Sequence, residues 1–163
     1  MLESDRFYIE LPWMSEISED CLELAENDGG FIEFLNFKCK MMDHQKAIKD
    51  PFIEYLAKNI PIVVGVMRME PNTIYNWHKD GNRKCAINML VNDAPSKCVF
   101  NVSTDGYMTK YAELKYKEET YYLFNTEEPH MIVNGDKPRY LMSINFGSEL
   151  TYHQLIELVK GYK

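Results

Sequence analysis

Three side chains of this sequence have the types and placement to share one divalent cation: His78 and Asp80, two residues apart, and His130, far along the chain. Two neutral imidazoles and one carboxylate on one side of iron(II) leave several coordination positions open for small molecules. Tetrahedral zinc is explained less well, because the set holds no thiolate. It would also leave Arg139, whose planar guanidinium suits a carboxylate, with no clear role. A lone His-x-Asp beside a turn is common without a metal. The set gains weight only when the third ligand and the anion-binding residue join it.

Alternate side chains of a strand share a face, so the phase of each polar residue can be read directly. Within residues 73–80, Asn76, His78 and Asp80 fall on one face, opposite Tyr75 and Trp77. Within 130–134, His130, Ile132 and Asn134 lie opposite Met131 and Val133. Within 138–146, Arg139, Leu141, Ser143 and Asn145 lie opposite Tyr140, Met142, Ile144 and Phe146. Each segment thus offers an apolar face for packing and a polar face. The polar faces are either simply wetted or the mouth of a barrel that takes a metal and an anion.

The elements that must position these residues come from the second part of the chain. From Ile60 onward, eight β-type runs are expected at 62–69, 73–80, 84–91, 97–102, 107–116, 119–126, 130–134 and 138–146. Turn signals divide them: Pro71-Asn72, Gly81-Asn82, Asn92 to Pro95, Asp105-Gly106 and Gly135-Asp136. This is the pattern of a sandwich or barrel. Residues 1–59 read as a mixed α/β flank: a strand at 7–11, a helix capped by Ser18 and ended by Gly29-Gly30, a strand-like stretch at 31–37, and a helix opened by Asp50-Pro51 that ends near Asn59. Thr151 and Gln154 form a capping-box pattern with Leu150 and Leu155 as a staple, so residues 148–163 predict a closing helix. One domain is expected over 1–163, with its β core at 60–147.

Composition narrows the function. Eighteen Lys and Arg against 25 Asp and Glu leave a formal charge of −7, the wrong sign for tracking a phosphate backbone, so nucleic acid is not an expected partner. There is no apolar run of membrane-spanning length and no basic start followed by an apolar stretch; a cytoplasmic location is expected, with no membrane partner. Cys21, Cys39, Cys85 and Cys98 form no CxxC pair and read as core residues. His44 and His153 have no companion ligands, and Glu127 and Glu128 read as a solvated acidic pair.

The series WHKDGNRKCAINMLV, followed by LFNTEEPHMIVNGDKPRYLMSINF, resembles the 2-oxoglutarate and iron(II)-dependent oxygenases over roughly residues 60–147. The Asn-Thr before the distal His is most similar to the aspartyl/asparaginyl β-hydroxylase and proline hydroxylase branch. The resemblance implies a mainly β double-stranded β-helix, a jelly-roll or cupin-like barrel, flanked by N-terminal helices and a C-terminal helix. It implies iron(II) on His78, Asp80 and His130, the distal carboxylate of 2-oxoglutarate on Arg139 with Ser143 adding a hydroxyl, and further co-substrate contacts near Arg83 and Asn88. The implied activity is hydroxylation of an amino acid, a peptidyl side chain or a small metabolite, consuming O2 and 2-oxoglutarate and releasing succinate and CO2.

Two other readings stand beside it. A non-oxidative cupin-like module would hold a metal or a small acid, although the usual cupin pattern is His-x-His with a following Glu. A metal-free jelly-roll interaction domain would leave Asp80 and Arg139 as unexplained inward polar groups.

Overall fold

The computed structural model describes residues 3–107 and 110–163. After a short 3-10 turn at Glu3–Arg6 come β1 (Tyr8–Met14), α1 (Ser18–Glu26), β2 (Ile32–Glu33), β3 (Lys38–Met41), α2 (His44–Ala47) and α3 (Pro51–Asn59). The β-rich part follows as β4 (Val63–Met69), β5 (Ile74–His78), β6 (Cys85–Leu90), β7 (Lys97–Asn101), β8 (Tyr111–Leu114), β9 (Thr120–Asn125), β10 (His130–Val133) and β11 (Arg139–Asn145), closed by α4 (Tyr152–Lys160). All eight expected strands are present. The run expected at 107–116 is strand only over Tyr111–Leu114, and its positions 108 and 109 lie outside the described residues.

The strands form two antiparallel sheets, one of seven in the order β1-β9-β6-β11-β4-β3-β2 and one of four in the order β5-β10-β7-β8. β11 is central to the larger sheet and directs its two faces to different places. Tyr140, Met142 and Ile144 join a core with Ile87 and Met89 of β6, Leu123 of β9, Phe52, Ile53 and Leu56 of α3, and Leu155 and Val159 of α4. Each such side chain, once fully buried, stabilises the fold by ~1.5–3 kcal/mol. The other face of the sheet turns toward the smaller sheet, where Phe7, Met69, Phe100, Tyr122, Phe124 and Ile132 form a second core. Arg139, Leu141, Ser143 and Asn145 line a cavity on that side.

The flanking helices are fixed by their caps. Asp50 Oδ1 accepts from the backbone N–H groups of Phe52 and Ile53 at 2.9 and 3.1 Å, and its Oδ2 accepts from the Tyr121 hydroxyl at 2.7 Å and from Glu16 N at 2.9 Å. A buried carboxylate with all these donors is fully satisfied. The capping box of Thr151 and Gln154 is present at α4.

The N-terminal flank differs from the sequence expectation. Ile17, not Ser18, is the N-cap of α1, because the Ser18 hydroxyl donates to Glu119 Oε1 at 2.7 Å instead of capping. Residues 31–37 hold only the two-residue β2; Phe34 N donates to Phe37 O at 2.8 Å and turns the chain into β3. β3 was not anticipated. Its Lys40 is buried, its ammonium bonding the Leu24 and Asn27 carbonyls at the end of α1 and lying over the Phe31 ring.

Candidate metal and anion site

β5 and β10 are neighbours, and His78 stands directly opposite His130. Their ring centroids are 4.2 Å apart and their planes cross at 62°. Each imidazole is oriented by the same local device, a contact from Nδ1 to the carbonyl two residues earlier: Asn76 O at 2.6 Å for His78 and Glu128 O at 2.9 Å for His130. A carbonyl only accepts, so Nδ1 carries the proton and the Nε2 lone pair is left free. Both Nε2 atoms face Asp80 Oδ1, at 3.8 Å from His78 and 3.6 Å from His130. The three ligand atoms lie within 4.8 Å of one another, the only such group of His, Cys, Asp or Glu among the described residues. Burial, with the neighbouring His78 and Arg83 adding to it, lowers the His130 pKa against the opposing pull of Glu128 O and Asp80, keeping the ring in the neutral form a metal needs.

Asp80 lies in the loop between β5 and β6, and that loop is tied down by Thr126. Thr126 O accepts from Asp80 N at 3.1 Å, Thr126 N donates to Lys84 O at 3.2 Å, and the Thr126 hydroxyl donates to Arg83 O at 2.7 Å. The Arg83 side chain turns inward. Its Nε donates to Asp80 Oδ2 at 2.7 Å and its Nη1 to Ser143 Oγ at 3.0 Å.

Beyond the histidines a cavity of about 530 Å³ runs along the β11 face. Arg139 lines it although it is only 4% exposed. Its one side-chain hydrogen bond among the described residues runs from Nε to Ser96 Oγ at 3.1 Å, and its guanidinium lies 5.7 Å from the Tyr116 ring centroid. Among the described residues it has no carboxylate partner. Two further groups lining the cavity, the Tyr116 hydroxyl and Asn88 Oδ1, are buried without a hydrogen-bond partner. Burial holds the Tyr116 phenol far above its ordinary pKa, so it remains an O–H donor. Leaving a buried polar group unpaired costs about 1–3 kcal/mol, and an unpaired buried cation costs more. The His78, Asp80 and His130 donor set therefore fits a divalent metal, and the guanidinium without a carboxylate partner and the Tyr116 phenol fit the carboxylate of a ligand reaching inward from it.

The structure brings His78, Asp80, His130, Arg139, Ser143, Arg83 and Asn88 to one cavity. Asn88 of β6 sits opposite Ser143 in the sheet register. The phase of Tyr75 departs from the simple alternation. From His130 to Ile132 β10 advances two residues while β5 advances three, from His78 to Tyr75, so a β-bulge carries Tyr75 onto the cavity side. There its ring stacks on His78 at 3.6 Å and 8°. Trp77 is half-buried and belongs to neither core. Ser96 and Tyr116 were not singled out in the sequence, and Tyr75 was assigned to the opposite face. Only Thr126 carried a local signal, the Asn-Thr pair before His130.

Part of the cavity lining is apolar and exposed. Phe34 and Phe37 stack at 4.9 Å, Phe37 packs against Tyr75 at 5.9 Å, and the line ends on His78. Leu35 at the tip of the β2–β3 turn is 96% exposed, and Met41 and Val63, which also line the cavity, are about half exposed.

No protein-family model matches this chain, and no curated protein sequence matches it. Solved structures do. A prolyl-4-hydroxylase from Pseudomonas putida superposes with a TM-score of 0.65 at 10% identity, over 91% of this chain and 96% of that one. A prolyl hydroxylase from Trichoplax adhaerens, solved with a peptide fragment of the hypoxia inducible factor oxygen degradation domain, gives 0.62 at 14% identity over 91% and 86%. The viral collagen prolyl hydroxylase of Paramecium Bursaria Chlorella virus-1, solved with 2-oxoglutarate, gives 0.61 at 15% over 92% and 100%. The chain has the jelly-roll, cupin-like fold that these prolyl hydroxylases and other 2-oxoglutarate/iron(II) oxygenases share.

Proposed function

We propose that this protein is a 2-oxoglutarate- and iron(II)-dependent oxygenase that hydroxylates an aliphatic position of a residue within a polypeptide. The observation that carries the reading is a pairing: the converging His78, Asp80 and His130 ligand atoms, and the buried Arg139 guanidinium without a carboxylate partner on the same cavity. A metal-storing barrel needs only the first. An oxygenase of this fold needs both.

In this reading His78, Asp80 and His130 hold iron(II), and Arg139, with the Tyr116 hydroxyl beside it, holds the distal carboxylate of 2-oxoglutarate. The metal and co-substrate, when bound, supply oxygen activation coupled to conversion of 2-oxoglutarate to succinate and CO2. The protein's own groups orient and exclude. The Asn76 and Glu128 carbonyls keep both Nε2 lone pairs aimed at one point. Leu141, Ile132 and Phe124 give the same cavity an apolar lining that would limit the access of water.

The charge of the cavity supports this substrate class. Asp80 is the only carboxylate among the described residues lining the cavity, and Arg83 already holds it. The ammonium of a free amino acid would meet no anion there. A residue inside a polypeptide carries neutral amides on both sides, and its aliphatic side chain suits a mouth built of Phe34, Leu35, Phe37, Met41 and Val63. The test is succinate release by iron-loaded protein offered free aliphatic amino acids and, in parallel, capped peptides containing them. Stimulation by the peptides is expected. Stimulation by free amino acids alone would overturn the substrate class, and no succinate with any substrate, together with no 2-oxoglutarate binding, would overturn the oxygenase.

A further inference from the structure

Arg83 makes bonds that metal and co-substrate binding leave unexplained. Its guanidinium reaches back to the carboxylate of its own loop and across to the central strand of the large sheet, at Asp80 Oδ2 and Ser143 Oγ. Both members of the ion pair are largely buried, with side chains 17% and 14% exposed. The Arg83 backbone is fixed as well, through its carbonyl to Thr126. The two oxygens of Asp80 are therefore divided: Oδ2 is taken by the guanidinium, and Oδ1 is the one that faces both imidazoles.

Resting on the metal-site reading above, we propose that Arg83 is a positioning residue that restricts Asp80 to a single metal bond and offsets its charge, keeping coordination positions open for the co-substrate at the expense of metal affinity. Two physical effects point the same way. A guanidinium hydrogen-bonded to a ligand carboxylate repels the dication that the carboxylate attracts. A carboxylate freed from it can offer both oxygens to the metal, which strengthens metal binding and occupies a position that a two-point ligand would otherwise take. The anchors at both ends, a hydroxyl on a sheet strand and a backbone bond to Thr126, hold the guanidinium in place before any ligand arrives.

This role predicts opposite changes in two affinities. A guanidinium that only pins the loop would, on removal, weaken metal and co-substrate together. One that grips the co-substrate carboxylate directly would weaken 2-oxoglutarate and leave metal binding unchanged.

The experiment uses the full chain and manganese(II), whose free-ion electron paramagnetic resonance signal reports binding without turnover. Arg83→Met is expected to bind manganese at least about threefold more tightly than wild type, and the manganese-loaded variant to bind 2-oxoglutarate at least about threefold more weakly. Arg83→Lys keeps the charge and is expected to restore manganese affinity to within about twofold of wild type. Should Arg83→Met not fold, Arg83→Gln, which removes the charge and keeps a donor to Asp80, is read in its place with the same direction expected. Unchanged or weaker manganese binding in the uncharged variant overturns this inference alone. Absence of manganese binding in wild type overturns the metal-site reading and this inference with it.

Discussion

Replacing Arg139 by alanine separates the oxygenase from any barrel that merely holds a metal. The guanidinium is buried and its only side-chain hydrogen bond among the described residues is to the Ser96 hydroxyl, so its remaining N–H groups are available to a ligand. A carboxylate that meets the fork forms charge-assisted bonds worth roughly 1.5–3 kcal/mol each. Stripping water from that carboxylate offsets a good part of the pair, and about one bond's worth, ~1.5–3 kcal/mol, is the net loss expected on truncation. This is a rise in the 2-oxoglutarate dissociation constant of about ten- to 150-fold. Arg139→Lys should fall between, since an ammonium keeps the charge and loses the two-pronged geometry. The assay is an anaerobic titration of 2-oxoglutarate into iron-loaded protein, followed by the metal-to-ligand absorption band, with iron affinity measured separately and expected to be unchanged. Wild-type 2-oxoglutarate affinity in Arg139→Ala would refute the reasoning, and a parallel loss of iron would show that Arg139 supports the fold instead.

Three further outcomes are expected. His78→Ala, His130→Ala and Asp80→Ala should each abolish one-to-one iron binding at micromolar concentration while leaving the circular dichroism of the sheets intact; full affinity in any of them removes that residue from the ligand set. Thr126→Val keeps the shape of a buried residue but leaves the Arg83 carbonyl without its 2.7 Å donor, so urea denaturation should show a loss of about 1–3 kcal/mol and metal affinity should fall with it; an unchanged midpoint would show that the loop does not depend on this bond. Because the fold lowers the His130 pKa to about 4, the unfolded chain binds the proton first as pH falls below about 6.5; metal-free protein should therefore lose stability between about pH 6.5 and about 4, and this contribution should be absent from His130→Asn.

Much of this architecture is written in short-range pattern. The eight strands are legible because β-branched and aromatic runs are cut by turn dipeptides, and the alternation of 139–145 assigned Arg139 and Ser143 to one face because β11 runs without a bulge between two partners. Tyr75 could not be phased in the same way, since the extra residue in β5 is defined only by its pairing with β10. β3 carries two lysines and no β-branched residue, and Lys40 is buried only because α1 ends beside it and its carbonyls need a donor. Ser96 and Tyr116 reach Arg139 through long-range packing, which no local spacing records. The candidate ligands were visible because their types are rare together, while the residues that hold them in place are ordinary ones.

The two-sided strand β11 also separates what can be engineered. Positions 141, 143 and 145 face the cavity, and 140, 142 and 144 face the helices. Parity along seven residues thus decides whether a substitution addresses ligand choice or melting temperature, so the two properties can be diversified as independent libraries on one strand. A one-residue slip in the register of β11 would exchange the assignments, placing Arg139 in an oily layer and Tyr140 in the cavity, and would cost fold and chemistry in the same step.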